Sequence, residues 1–266
     1  MLSTALNHAV ETGLLESNPV KSVAWKAPRS THVVDRRSVV NPTQARALLA
    51  AVGTVQRSGP RLVAFFAAMY YSALRPEEVG NLRLHNMDLP DDGGWGWLTL
   101  ESSAAEVDKQ WTDSGRRRDV RELKHRARGE TRRVPCPPAL GDLLKEHLAT
   151  FGTDEQGHLF RGERGHHLAG VTYNRVWDRA RQAAFTPEQV ASPLARRPYD
   201  LRHAAVSTWL NGGVAPSQVA EWAGHSVEVL LRVYAKCLDG GEQLRHETIA
   251  MRDAVGAQFV LLDDEQ

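Results

Sequence analysis

The segment from Tyr199 to Tyr234, YDLRHAAVSTWLNGGVAPSQVAEWAGHSVEVLLRVY, predicts three short helices in succession. The first opens near Asp200 and stops at Asn211-Gly212-Gly213, because glycine accepts the left-handed backbone that ends a helix. The second begins at Pro216 and stops at Gly224. Ser226 can cap a third, whose apolar positions Val227, Leu230, Leu231, Tyr234 and Leu238 follow the i, i+3, i+4, i+7 rule. Tyr199 and Arg202 are three apart and share a helical face, while His225 stands just ahead of a capped helix. Tyr234 lies on the apolar stripe, where a tyrosine is ordinarily a core residue with a satisfied hydroxyl.

Upstream, Asn41-Pro42-Thr43-Gln44 offers a capping residue, a first-turn proline and a Gln at the reciprocal position, opening a helix that runs to about Val52. Leu62 to Tyr71 is apolar nearly all round and reads as a central core helix. It ends at Ser72-Ala73-Leu74-Arg75-Pro76, where Pro76 disfavours helical geometry at Arg75 and suits the start of a helix over Pro76 to Leu84. Arg75 thus sits at a sharp joint, free to point away from both helices. Between 95 and 135 the period changes: Trp95, Trp97 and Thr99 alternate with Gly96 and Leu98, and Arg132-Arg133-Val134-Pro135 closes a second extended run. A small antiparallel sheet is expected there. Helices resume at Pro138 to Ala149 and Val171 to Ala184, around a Gly- and His-rich loop.

At the other end, Leu2, Leu6, Val10 and Leu14 predict a helix before the stop Asn18-Pro19. A lone amphipathic helix cannot bury its stripe, so residues 1–28 are expected to be the last helix of an amino-terminal helical domain. Residues 29–40 read as a linker, 41–254 as the main domain, and 255–266 as an acidic tail. The tail's apolar run Phe259-Val260-Leu261-Leu262 is either an edge strand of its own sheet or a segment that docks on a neighbouring subunit.

The 266 residues are 42% hydrophobic and 24% charged, with 33 Lys+Arg against 32 Asp+Glu, the profile of an ordinary soluble globular chain. The longest uncharged apolar run, Leu62 to Leu74, has 13 residues, short of a bilayer span, and the amino terminus lacks a secretory pattern. A cytoplasmic location is expected. Two cysteines a hundred residues apart exclude a disulfide framework and a cysteine metal site, leaving reduced thiols. Charge is placed unevenly: Arg116 to Arg133 holds nine Lys/Arg against three acids, and Asp239 to Gln266 holds seven acids against two Arg. The basic block, including Arg116, Arg117, Arg118, Arg126 and Arg128, could hold a phosphate backbone while the tail stays off it; its bland reading is a solvated face. His158, Glu163, His166 and His167 lack helical i, i+4 ligand spacing, so no metal is expected.

Arg75, Lys124, Tyr199, Arg202, His225 and Tyr234 form a polar set spread over five elements. Each alone has an unremarkable explanation, whether surface, capping or core. Together, the strings Ala73-Leu74-Arg75-Pro76-Glu77-Glu78-Val79, Leu123-Lys124-His125-Arg126, Tyr199-Asp200-Leu201-Arg202-His203, Gly224-His225-Ser226 and Arg232-Val233-Tyr234-Ala235 resemble, in order, the catalytic domain of the tyrosine recombinases, the phage integrase family. The resemblance spans about residues 38 to 250. It implies an α+β, mainly helical fold, the DNA breaking-rejoining catalytic fold with a small antiparallel sheet, preceded by a core-binding domain of which residues 1–28 look like the last helix.

The resemblance also implies site-specific recombination of double-stranded DNA attachment sites with neither metal nor cofactor. Tyr234 would attack phosphorus to give a 3′-phosphotyrosyl intermediate, Arg75 and Arg202 would clamp the phosphate, Lys124 would protonate the leaving 5′ oxygen, and His225 would hydrogen-bond the phosphate. Where the family usually has His or Lys this chain has Tyr199, a neutral donor at pH 7, which is assigned to phosphate hydrogen bonding. The proton acceptor from Tyr234 stays open, and His203 is expected to brace its helix. A homotetramer on DNA through carboxy-terminal segment exchange, a directionality factor and a nucleoid-associated location are further implications. Two alternatives remain at this point: a helix-turn-helix regulator without chemistry, and a type IB topoisomerase-like activity.

Overall fold

The computed structural model describes residues 2–23, 33–106, 110, 118–124, 127, 129–234 and 237. The chain divides into two compact units, 1–32 and 33–266. In the first, α1 (Leu2–Glu11) is shorter than its apolar spacing predicts: Gly13 turns left-handed two residues after its end, and Leu14 is exposed. Asn18 ties this unit together, donating to the Ser3 carbonyl and to Asn7 Oδ1.

The second unit opens with α2 (Pro42–Thr54), where Asn41 accepts from the Gln44 amide and Gln44 returns a bond to the Asn41 amide. Next, α3 (Val63–Tyr71) buries seven of its nine residues, as an all-apolar helix must. It is surrounded by α5 (Pro138–Phe151), α6 (Gly170–Ala184) and α8 (Asp200–Asn211), and Phe65, Phe66, Phe160 and Trp177 fill the space between them. The helix expected over Pro76 to Leu84 is only α4 (Pro76–Val79): Gly80 caps it, and the chain turns so that Leu82 enters the core.

The expected sheet is present but is larger than the alternation showed. Strand β2 (Gly96–Leu100) pairs antiparallel with β1 (Met87–Asp88) and with β5 (Arg132–Cys136), and β3 (Ser102–Glu106) pairs with β4 (Arg118–Glu122) in a second ladder. The β3–β4 ladder carries Ser, Ala and charged residues, which give no apolar alternation to read. Ser72 Oγ donates to the Pro135 carbonyl at 2.7 Å, which fixes the end of α3 to β5. After α7 (Pro187–Ala191), a short helix not anticipated despite its Thr186–Gln189 capping box, the carboxy-terminal region has the three predicted helices: α8, α9 (Pro216–Ala223) and α10 (Val227–Tyr234). Ser226 caps α10 through the Val229 amide. Of the predicted α10 stripe, Leu230 and Tyr234 are buried, Val227 and Leu231 are exposed, and Leu238 lies outside the described residues.

A buried arginine cluster beside a tyrosine hydroxyl

Helix α9 ends in a Schellman arrangement: Gly224 is left-handed, with φ +63°, and the His225 amide returns to the Ala220 carbonyl at 2.9 Å. The carbonyls left over at such an end carry partial negative charge and attract cations. Two guanidiniums take them. Arg202, on α8, donates to the Ala223 carbonyl and, from its other terminal nitrogen, to the Ala73 carbonyl. Arg75 donates to the Gly224 carbonyl at 3.0 Å. Ala73 itself has φ +49°, an unusual backbone for a residue with a side chain, so the joint before Arg75 is held in a strained shape with its carbonyl facing Arg202.

Glu78 binds the second side of Arg75. Its Oε1 accepts from Arg75 Nη1 at 2.8 Å and from Arg132 Nη1 at 2.9 Å, while Oε2 accepts from Arg132 Nη2 at 2.6 Å and from the Arg75 amide at 2.8 Å. Burial alone would push the Glu78 carboxyl upward, but the Arg132 and Arg75 guanidiniums outweigh it and hold the group well below the usual carboxylate range. The side chains pack tightly here, since a Cβ on Gly224 would lie 2.5 Å from Arg132 Nη1. Sequence alone singles out neither Glu78 nor Arg132. The signals existed: Glu78 is three residues past Arg75 at a helix start, and β5 alternation places Arg132 on the inward face with Val134.

Three guanidiniums therefore meet one contacting carboxylate. Arg202 is wholly buried and pairs with no carboxylate among the described residues. Burial, and then the neighbouring Arg75, lower its affinity for its proton. Arg202 Nε and Arg132 Nε are both buried without a hydrogen-bond partner. Buried cations in excess are costly unless an anion completes the site.

The remaining members face this cluster. His225 Nε2 lies 3.1 Å from Arg202 Nη2. Because a guanidinium only donates, Nε2 must accept and the His225 proton sits on Nδ1, which is buried and unpartnered. Burial, Arg202, Arg75 and Arg132 push His225 down to about 3, so it is neutral at physiological pH. Tyr234 is 1% exposed, packed with Ala205, Val219 and Leu230 in a second apolar cluster. Its hydroxyl is 2.9 Å from His203 Nδ1, and its ring stands 6.2 Å from that of His225. Burial drives the Tyr234 phenol upward from its ordinary value. Tyr199, at the start of α8, sets its ring edge-on against His203 at 5.1 Å. The position of His203 differs from the expected brace of its own helix: it bonds across to α10.

Arg75, Tyr199, Arg202, His225 and Tyr234 are thus brought together. Lys124 is not: it is exposed at the break between β4 and β5, which pair with different strands, and makes no hydrogen bond or ion pair with the cluster. Arg116, Arg117, Arg126 and Arg128 lie outside the described residues, as do the side chain of Arg118 and the tail from 238 onward. Cys136 and Cys237 are buried thiols, not joined in a disulfide. Among the described residues no group of three or more potential ligands could hold a metal, and no helix is long and apolar enough to cross a membrane.

The two depressed imidazoles of the site predict a pH-dependent stability. His203 is pushed down to about 4 by burial, Arg202 and Arg197, and His225 to about 3, so the unfolded chain binds more protons than the folded one below the ordinary imidazole value of about 6.5. Stability is fully present above pH of about 6.5 and falls on acidification toward 4; these two groups contribute up to two protons to the slope, and buried His147, also held below its ordinary value, steepens it further. Urea titrations across that range check this; a flat midpoint would contradict it.

The phage integrase family model matches residues 38–239. The chain belongs to that family, whose members are tyrosine-type site-specific recombinases. In fold it is similar to the Tn1549 transposon integrase bound to circular-intermediate DNA, at 14% identity over 94% of this chain and 76% of the other, TM-score 0.64. It is also similar to a lambda integrase dimer on a core site, at 14% identity over 91% and 71%, TM-score 0.55. XerA recombinase matches at 16% identity over 87% and 71%, TM-score 0.54. No curated protein sequence matches it. These likenesses agree with the mainly helical fold with a small antiparallel sheet read from the sequence.

Proposed function

We propose that this chain breaks and rejoins DNA by transfer of a phosphodiester to Tyr234, without metal or nucleotide. The observation that carries the reading is the buried excess of guanidinium beside a tyrosine hydroxyl. A phosphodiester brings one negative charge, and the five-coordinate phosphorus that forms on attack concentrates a second on its non-bridging oxygens. Arg75, Arg132 and Arg202, net of Glu78, supply two positive charges in a water-poor setting where each is worth most. Arg75 and Arg202 act as the clamp, with His225 Nδ1–H and the Tyr199 hydroxyl as further donors to the same oxygens. Arg132 acts through Glu78, holding Arg75 in place. The phosphotyrosyl bond keeps the energy of the original ester, so a 5′ hydroxyl from another strand can reseal it.

Lys124 is the proposed acid for the leaving 5′ oxygen, which requires the β4–β5 break to carry it to the cluster when DNA is bound. Arg116, Arg117, Arg118, Arg126 and Arg128 are proposed backbone contacts. On this reading residues 41–254 are the catalytic domain, residues 1–28 belong to a preceding DNA clamp, and the tail beyond 254 joins protomers into a tetramer on paired sites. A directionality factor and work on the nucleoid in the cytoplasm complete the proposal. A regulator without chemistry leaves the arginine excess and the Tyr234–His203 contact unused.

The test uses nicked duplexes recovered by DNA binding from a randomised pool, arranged so that the 5′-hydroxyl fragment diffuses away after cleavage. Wild-type protein in chelator is expected to give a denaturant-resistant protein–DNA adduct, and Tyr234→Phe to give none while retaining the same duplexes. Retention without an adduct in both proteins would favour the regulator. Exchange of strands between two marked duplexes separates recombination from simple relaxation.

A further inference from the structure

We infer that His203 is the base that takes the proton from Tyr234, a catalytic role one residue beyond the clamp arginine. The inference rests on Tyr234 being the nucleophile. A phenol must lose its proton as its oxygen bonds to phosphorus, and a base within hydrogen-bond reach of that proton is required. Among the described residues the hydrogen-bond partner of the Tyr234 hydroxyl is His203 Nδ1, at 2.9 Å. The other candidates fail on chemistry. Tyr199 is itself a phenol. His225 spends its Nε2 lone pair on Arg202 and carries a proton on Nδ1. Arginines only donate.

The surroundings of His203 keep it able to accept. Arg197 and Tyr199 lie just before its helix, Arg202 precedes it on the helix, His225 stands on the α9–α10 turn, and Tyr234 faces it from α10 with Cys237 beyond. Burial and the two arginines hold it neutral at physiological pH, leaving one ring nitrogen with a lone pair. A proton arriving on His203 meets repulsion from Arg202, and this is offset as the phosphorane gains its second negative charge. The step balances: Tyr234 Oη bonds to phosphorus as its proton moves to His203 Nδ1, the bond from phosphorus to O5′ breaks, and O5′ takes a proton from the general acid. Resealing returns the His203 proton to Tyr234.

His203→Asn tests this on the pool-selected nicked duplexes, because an amide oxygen can accept the same hydrogen bond but cannot take the proton. Single-turnover adduct formation is expected to fall by about 10²-fold at neutral pH. The deficit is expected to narrow about tenfold per pH unit on raising the pH, as hydroxide substitutes for the missing base. A His203→Asn rate within a few-fold of wild type, with a parallel pH profile, would show a positioning contact and overturn the proposal. Should wild type itself form no adduct, the nucleophile reading fails, and this one with it. An adduct that is lost in Tyr234→Phe but forms in His203→Asn at close to the wild-type rate sinks this one alone. Nitrogen-15 spectra of labelled wild-type protein serve where the variant does not fold: His203 Nδ1 is expected to be unprotonated with hydrogen on Nε2, and a protonated Nδ1, donating to the Tyr234 oxygen, would overturn the assignment.

Discussion

Replacing Glu78 with alanine is expected to destabilise the protein by about 3–5 kcal/mol, the cost of leaving buried charge unpaired. Its two oxygens accept from both terminal nitrogens of Arg132, from Arg75 Nη1 and from the Arg75 amide, and the arginine and glutamate side chains involved are almost entirely buried. Without it, three guanidiniums repel one another in a low-dielectric setting. Because the carboxyl is held below its unfolded value, the stabilisation is complete at neutral pH and fades only on strong acidification. Glu78→Gln keeps the shape but not the charge and is expected to lose less. Urea denaturation at neutral pH measures both, and an alanine variant within about 1 kcal/mol of wild type would contradict the pairing described.

Arg202→Lys is expected to slow adduct formation by about 10²–10³-fold, the effect of removing one well-placed donor to a developing oxyanion. The charge survives the change, but a single ammonium cannot reach the Ala73 carbonyl, the Ala223 carbonyl and the phosphate at once, as the planar fork can. Retention of DNA should change little, since most affinity comes from surface phosphate contacts. Single-turnover kinetics at saturating protein separate the two effects. Equal losses of retention and rate would place Arg202 in ground-state binding instead.

The helices of the carboxy-terminal third were legible because glycine and proline punctuate them: Asn211-Gly212-Gly213, Pro216 and Gly224 mark real ends. Arg75, Arg202, His225 and Tyr234 were legible through the order of short motifs. What could not be read depends on contacts across the chain. Arg132 and Glu78 are 54 residues apart and look like one more basic and one more acidic side chain until β5 is set beside α4. His203 reads as a helix brace because nothing in the sequence shows that α10 returns to place Tyr234 against it. The β3–β4 ladder escaped because a ladder of small and charged residues has no apolar alternation. Helix α4 is shorter than its sequence suggests because apolar spacing continues through Leu82, while the backbone has already turned at Gly80.

The most direct measurement is to digest the denaturant-resistant adduct with nuclease and protease and find the nucleotide-bearing residue by mass spectrometry. A nucleotide joined through its 3′ phosphate to Tyr234, in the peptide that follows Arg232, is the expected result. A nucleotide on Tyr199, the other tyrosine beside the arginine cluster, or on a serine elsewhere, would contradict the account.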